Sequence, residues 1–379
     1  MIDYTKIPSP CYVVDAKLLR ANLKLLKHVQ VEAGVDIILA FKGFSMWSTF
    51  PMVRQYLAGA TASSLYEAML CNEEMKCKAH TYAAAYNPAE FEAVAGLSSH
   101  LTFNSISEFH RYRSICAEKF PDVSLGIRVN PEYSVVETDL YNPCAPGSRL
   151  GTTIENFAGK LLEGVDGLHF HALCESNSYD LENVLASFES LFGAFLPKLK
   201  WVNMGGGHLI TRKDYDVPHL ISVLKAFKSR HPNLHVIMEP GSAIAWQTGV
   251  LVSKVLDVVS NKNIQTAMLD VSFTCHMPDC LEMPYRPKIV GATDPVDGKP
   301  SYRLGGVSCL SGDYLDAYTF EQALQPGDLV VFEDMIHYTM VKTTMFNGVT
   351  HPSYAIWQED NTLDIVRTFG YADYKGRLG

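Results

Sequence analysis

Between residues 37 and 239 the sequence repeats one pattern: a short β-rich run, then a helix-like stretch. The β-rich runs are Ile37–Phe41, Gly59–Ala62, Thr81–Ala84, Leu101–Phe103, Ser124–Val129, Gly167–His171, Trp201–Met204 and His235–Met238. Helix-like stretches lie between them at Ser48–Leu57, Tyr66–Cys77, Pro88–Leu97, Ile106–Glu118, Glu155–Leu162, Asp180–Leu196 and Pro218–Lys228. An amphipathic segment, Lys17–Val29, precedes the first run. Alternating βα units at a spacing of roughly twenty residues predict a parallel sheet. Eight such runs predict that the sheet closes into a TIM-type (β/α)8 barrel over residues 15–249. An open doubly wound sheet is the alternative arrangement.

Beyond residue 250 the pattern changes. Val250–Val259, Thr266–Val271, Tyr302–Val307, Asp328–Phe332, Tyr354–Trp357 and Asp364–Val366 are β-branched runs without long helical spacers. Pro295, Gly298, Pro300, Gly305, Gly306, Pro326 and Gly327 punctuate them. This reads as an antiparallel β-rich domain, barrel-like or sandwich-like, over residues 250–379. Residues 1–14 add a strand to it around Cys11-Tyr12-Val13-Val14.

Charge narrows the partners. A net charge of −9 argues against nucleic acid and is compatible with a cationic small molecule. The nine cysteines are scattered, with no CxxC pair and no zinc spacing. The N-terminus lacks a signal-peptide pattern, and no apolar run is long enough to span a bilayer. These features predict a cytoplasmic protein with free thiols and no membrane segment.

In such a barrel, functional groups gather where strands end, on the C-terminal face. Lys42 follows the first run and precedes Gly43; Ser63, Ser64 and Glu67 follow the second; Arg128 and Asn130 end the fifth. His169 and His171 end the sixth, Gly205-Gly206-Gly207 follows the seventh, and Glu239-Pro240-Gly241 follows the eighth. A lysine at the end of a buried strand is desolvated, which favours the neutral, nucleophilic amine that forms Schiff bases. The bland alternative is a lysine that snorkels to solvent or pairs with a carboxylate. Three glycines let backbone N–H groups converge on a phosphate; a flexible turn is the alternative. The imidazoles of His169 and His171 share one side of a strand, as core histidines, a metal pair or a stacking surface for a planar cofactor. Glu239 is a carboxylate after an apolar run, either paired with Arg128 or facing a heteroaromatic nitrogen.

An imine-forming lysine, a phosphate nest, a stacking histidine and a carboxylate for a ring nitrogen together describe pyridoxal 5′-phosphate. The chain resembles the fold-type III pyridoxal-phosphate decarboxylases, the ornithine, arginine and diaminopimelate decarboxylase family with an alanine-racemase-like barrel. The strings that carry the resemblance are Leu39-Ala40-Phe41-Lys42-Gly43, Thr61-Ala62-Ser63-Ser64-Leu65-Tyr66-Glu67, Arg128-Val129-Asn130-Pro131, Ser148-Arg149-Leu150-Gly151, Gly167-Leu168-His169-Phe170-His171, Gly205-Gly206-Gly207-His208, Glu239-Pro240-Gly241 and Cys309-Leu310-Ser311-Gly312-Asp313. They occur in family order along nearly the whole chain.

The resemblance implies that Lys42 carries the cofactor, His171 stacks on its ring, Glu239 pairs with the ring nitrogen, and Gly206 and Gly207 hold the phosphate, with Arg128 among the cofactor-binding residues. Tyr338 matches the family tyrosine that also touches phosphate. Cys309 matches the cysteine that crosses a homodimer interface to act as proton donor, and Asp313 sits in the segment expected to meet the substrate's distal amine. The chain departs from the family where many relatives have arginine after Glu-Pro-Gly; here it is Ser242. The Gly-Ser element that often follows the stacking histidine is replaced by Ala172-Leu173-Cys174-Glu175-Ser176. These departures fit the branch acting on carboxynorspermidine and carboxyspermidine better than the ornithine or diaminopimelate branches.

A substrate of that kind is cationic, so its site should be acidic; Asp279, Glu282, Asp313 and Asp316 are the candidates, and Arg149 is the candidate for the substrate carboxylate. A decarboxylase of another basic amino acid, such as diaminopimelate, is a second possibility. A non-catalytic pyridoxal-phosphate carrier protein is a third, disfavoured by the β domain and its Cys309 motif.

Overall fold

A computed structural model describes residues 2–157, 163–282 and 285–379. The chain divides into two compact units, Asn22–Ile244 and Met1–Ala21 with Ala245–Gly379. The first boundary falls inside the helix Ala16–Ala33. The first strand, β1 (Cys11–Asp15), belongs to the second unit. The barrel strands follow as β2 (Asp36–Ala40), β3 (Gly59–Ala62), β4 (Ala79–Tyr82), β5 (Ser98–Phe103), β6 (Ser124–Arg128), β7 (Gly167–His169), β8 (Trp201–Asn203) and β9 (His235–Met238). They pair in sequence order, and β9 closes on β2 with Asp36 opposite Ile237 and Ile37 opposite Met238. The unit is the predicted (β/α)8 barrel.

The strands are short and mostly buried on both faces, because helices cover the outside and side chains fill the inside. Trp201 shows how tightly. It packs with Ile38 and Ile237, and its Nε1 donates to Ser124 Oγ at 2.8 Å. Its indole occupies the space where side chains of residues 126 and 167 would project: a Cβ on Gly126 would lie 2.3 Å from the ring, and one on Gly167 2.0 Å.

Serine caps start the helices that follow β3 and β5. Ser64 Oγ accepts from Glu67 N–H, and Ser105 Oγ from Glu108 N–H. Several predicted helices are shorter or broken. Ser48–Leu57 reduces to Phe50–Val53 behind a 3-10 turn, Trp47–Thr49. Tyr66–Cys77 becomes Leu65–Leu70 followed by a π turn, Cys71–Met75, which Lys76 ends at φ +59°. Pro88–Leu97 shortens to Phe91–Gly96. Of the predicted helix Glu155–Leu162, residues 158–162 lie outside the described residues.

The second unit contains β1 with β10 (Gly249–Asn261), β11 (Ile264–Leu269), β12 (Ala292–Thr293), β13 (Ser301–Gly305), β14 (Tyr314–Phe320), β15 (Leu329–Glu333), β16 (Ser353–Trp357) and β17 (Leu363–Arg367). Their order is β12-β14-β13-β11-β10-β1-β16-β17, with β15 also on β10. Ile7, Cys11, Val13, Val250, Val252, Val331, Ala355 and Trp357 form a core beneath them. The sheet is mixed, which corrects the antiparallel expectation: β1 runs parallel to β16, and β11 to β13. Parallel neighbours need long connections, and both pairs have them. β1 and β16 are separated by most of the chain, and two short helices, Phe273–His276 and Asp279–Glu282, lie between β11 and β13.

Candidate active site

The site is built where the barrel strands end. The turn after β2 carries Lys42, and it fits only because residue 43, which follows it, is glycine. A Cβ on Gly43 would lie 2.6 Å from Gly241 Cα, so the Lys42-Gly43 turn packs directly on the Glu239-Pro240-Gly241 loop after β9. Glu239 N–H in turn donates to Gly205 O at 2.7 Å, joining that loop to the glycine turn after β8. Gly205 and Gly207 have φ of +68° and +92°, in the region that favours glycine. A Cβ on Gly206 would lie 2.3 Å from Glu239 O, and one on Gly207 1.8 Å from Leu173 O.

These loops surround a cleft lined by Phe41, Lys42, Thr61, Ser63, Tyr82, Arg128, His169, His171 and Glu239. Lys42 is accessible from the cleft, yet protein atoms surround its amine. That desolvation lowers its pKa below the ordinary lysine value, against the opposing pull of Glu239. Glu239 is buried. Burial alone would raise its pKa, but His169, 3.2 Å away, and the Lys42 charge outweigh it and hold the carboxyl ionised. Asn203 Nδ2 donates to its other oxygen at 2.9 Å, while Asn203 Oδ1 accepts from Gly205 N–H at 2.8 Å.

Burial pushes the pKa of His169 and His171 down. His171 Nδ1 accepts from Gly206 N–H at 3.0 Å, which places its proton on Nε2. His169 makes no well-aligned hydrogen bond from either ring nitrogen among the described residues; its approach to Glu239 is close but off line. Glu67, near the same charges, has its pKa raised by burial and accepts from Ser63 N–H at 2.6 Å.

The Arg128–Glu239 pair considered above is not formed. Arg128 lies over the Tyr82 ring, 4.7 Å from its centroid, and donates to His171 O at 3.2 Å. The glycine turn also differs in detail from the expected nest. Gly206 N–H is committed to His171 and Gly205 N–H to Asn203, whereas Gly207 N–H has no acceptor among the described residues. Arg149 is exposed, and its carbonyl accepts from Asn104 Nδ2 at 2.8 Å. Lys42, Arg128, His171 and Glu239 thus meet in one cleft, and Gly206 adjoins it through His171.

The remaining candidates lie in the sheet unit. Cys309 is exposed, and its N–H donates to Asn347 Oδ1 at 2.8 Å. Asp313 is buried and accepts from Thr274 N–H and Ser308 N–H, each at 3.1 Å. It therefore ties down the loop that carries Cys309. Asp279 is paired with Lys342, with Glu282 3.7 Å from the same amine, so these two acids are partly neutralised rather than free. Tyr338 adopts φ +42°.

Sequence reasoning missed Tyr82, Asn203 and a stacked pair, His80 and His100, whose rings lie 3.9 Å apart inside the barrel. His80 and His100 fall outside the predicted runs because those began at Thr81 and Leu101, whereas β4 and β5 begin at Ala79 and Ser98.

Against known families, the model described as pyridoxal-dependent decarboxylase, C-terminal sheet domain, matches residues 11–336. The chain belongs to the pyridoxal-dependent decarboxylases. Among members of that family it is 52% identical to a carboxyaminopropylagmatine decarboxylase of Synechocystis, over 99% of this chain and 96% of the relative. It is 41% identical to a carboxynorspermidine/carboxyspermidine decarboxylase of Campylobacter jejuni, over 99% of each chain. A crystal structure of carboxynorspermidine decarboxylase complexed with norspermidine, also from Campylobacter jejuni, superposes with a TM-score of 0.91 at 40% identity, covering 98% of this chain and 100% of that one. Diaminopimelate decarboxylase from Helicobacter pylori superposes at 0.83 with 17% identity, a likeness of fold alone. Among the described residues, no helix of this pyridoxal-dependent decarboxylase is long and apolar enough to cross a membrane.

Proposed function

We propose that this chain binds pyridoxal 5′-phosphate in the barrel cleft and decarboxylates carboxynorspermidine and carboxyspermidine, yielding norspermidine and spermidine in polyamine biosynthesis. The single observation that carries the cofactor assignment is the meeting of an accessible, desolvated lysine with a buried, ionised carboxylate in one cleft. The donor set fits the group. Lys42 would hold its aldehyde carbon, Glu239 its ring nitrogen and His171 its ring, with Arg128 alongside and the glycine turn at Gly206-Gly207 offering the Gly207 N–H to its phosphate. When bound, pyridoxal phosphate supplies an electron sink for the electrons left behind by CO2. The protein's own work is electrostatic. Asn203 and His169 hold Glu239 as an anion, and Gly206 fixes the neutral tautomer of His171. Phe41 and Tyr82 line the cleft as apolar walls that limit water.

Cys309 as proton donor, Tyr338 as a phosphate ligand, and Asp313, Asp279, Glu282 and Arg149 as substrate contacts rest on the family motif. For Asp279 and Glu282 the substrate's cation would have to compete with Lys342. We also infer a cytoplasmic homodimer, the assembly that the Cys309 motif implies; free thiols are compatible with that compartment.

Carboxyaminopropylagmatine is a second substrate reading. It is favoured by the higher identity to the Synechocystis relative, 52% against 41%. It shares the carboxylated polyamine backbone but ends in a guanidinium rather than an amine. Diaminopimelate is disfavoured, since the relatives with that name are 22–25% identical over 60–90% of the chain. CO2 release measured side by side from carboxynorspermidine, carboxyspermidine, carboxyaminopropylagmatine and diaminopimelate separates these readings. Highest kcat/KM on either of the first two supports the proposal. A strong preference for the third moves the assignment to the guanidino substrate, and activity on diaminopimelate alone defeats both.

A further inference from the structure

Cys71 and Cys77 place their Sγ atoms 3.7 Å apart, and both are free thiols. Cys71 is buried and opens the π turn Cys71–Met75; Cys77 is half-buried, one residue beyond the left-handed Lys76. The Cys71 thiol also approaches Cys77 O at 3.4 Å. The two sulfurs are unequal. The Cys71 thiol, partly opposed by burial and aided by the Ala60 backbone N–H, brings the Cys77 pKa down to about 7, while the contact with Cys77 and burial push the Cys71 thiol up. A half-accessible sulfur in contact with a buried one is the arrangement of an attacking and a resolving thiol.

We propose that Cys71 and Cys77 form a thiol–disulfide modification site that takes low-molecular-weight disulfides of the glutathione class, and that closing it shifts the helix carrying Glu67. The Cys77 thiolate attacks one sulfur of the small disulfide, forming a mixed disulfide and expelling one thiolate. Cys71 then gives up its proton and attacks the Cys77 sulfur, forming the Cys71–Cys77 bond and releasing the second small thiol. The protein loses two electrons and the small disulfide gains them. Bond formation draws the sulfurs from 3.7 Å to about 2.05 Å. Cys71 directly follows the helix Leu65–Leu70, which carries Glu67, and Glu67 holds the backbone of Ser63 at the wall of the cleft. The π turn is the deformable element between the two: its geometry is a local departure from the helix, of the kind found next to functional sites.

The test treats the purified holoenzyme with glutathione disulfide without air, quenches with acid, alkylates with N-ethylmaleimide and maps the peptides. The expected product joins the peptides of Cys71 and Cys77, carries no alkyl group on either, is about 2 Da lighter than the reduced pair, and reverts with dithiothreitol. Cys77→Ser should give no cross-link, and Cys71→Ser should stop at a mixed disulfide on Cys77. Amide hydrogen exchange over residues 63–70 should differ between the reduced and cross-linked forms. Full alkylation of both cysteines, or a mixed disulfide that persists in the unmutated protein, overturns the site. A cross-link that leaves exchange over 63–70 unchanged overturns the coupling to Glu67.

Discussion

Asn203→Asp changes one NH2 group to one oxygen, with little change in volume, at the point where Glu239 is held. Asn203 Nδ2 lies 2.9 Å from Glu239 Oε2. Two carboxylates at that distance repel by about 6 kcal/mol at an effective dielectric of about 20. That is enough to lift the pair's second ionisation from about 4 to about 8. Position 203 is buried, and burial lifts it further. At pH 7 the pair therefore keeps one proton, shared across the contact, and Glu239 presents less than a full negative charge to the cleft. The fold should survive, because the substituted side chain keeps an oxygen for Gly205 N–H. With a preorganised charge lost, kcat at pH 7 should fall by about 10²–10³ and recover as the pH rises through about 8. Asn203→Leu, which removes the donor without adding charge, loses the charge-assisted hydrogen bond to Glu239, about 1.5–3 kcal/mol, together with the acceptor for Gly205 N–H, and gains no such pH dependence. The assay is CO2 release between pH 6 and pH 9 for the three proteins. An Asn203→Asp enzyme with the parent's kcat and the parent's pH profile refutes the argument that an ionised Glu239 drives the chemistry.

Three further outcomes follow from particular residues. His208 and His276 are buried neutral, with pKa values pushed down to about 4 by burial, while the unfolded chain takes up their protons near 6.5. Their contribution is complete above about pH 6.5 and is lost toward pH 4, at about 1.4 kcal/mol per histidine per pH unit; a melting temperature unchanged from pH 7 to pH 5 would contradict it. Gly167→Ala forces a methyl to within 2.0 Å of the Trp201 indole, so urea unfolding should show the barrel destabilised by about 1–3 kcal/mol or more, and an unchanged midpoint would show that the floor of the barrel can relax. Cys309→Ala should keep the cofactor's visible absorbance and lose most turnover, because the residue is exposed and holds its neighbours only through its backbone; full turnover would remove it from proton delivery.

The barrel and most of its rim were legible in the sequence for a local reason. A lysine, a glycine triplet and a carboxylate each stand directly after an apolar run, and a parallel barrel sends all such positions to one face. The partners within that face were less legible, because side-chain pairing is not set by chain position. Glu239 chose His169 and Asn203 over Arg128, and Arg128 took the Tyr82 ring instead. His80 and His100 were hidden by strand starts placed two and three residues late, where polar residues weaken the β signal. In the sheet unit β14 was missed, since Asp313 and Asp316 made Tyr314–Phe320 read as loop. The Lys342–Asp279 pair joins residues 63 apart, and no spacing rule anticipates it.

Lys42 is the residue on which cofactor binding depends. Reduction of the holoenzyme with borohydride, followed by digestion and mass spectrometry, should find the pyridoxyl group on the peptide containing Lys42 and on no other, with Lys42→Ala taking up none. A label fixed to a different lysine, or an unmutated protein that takes up no pyridoxal phosphate at all, would contradict it.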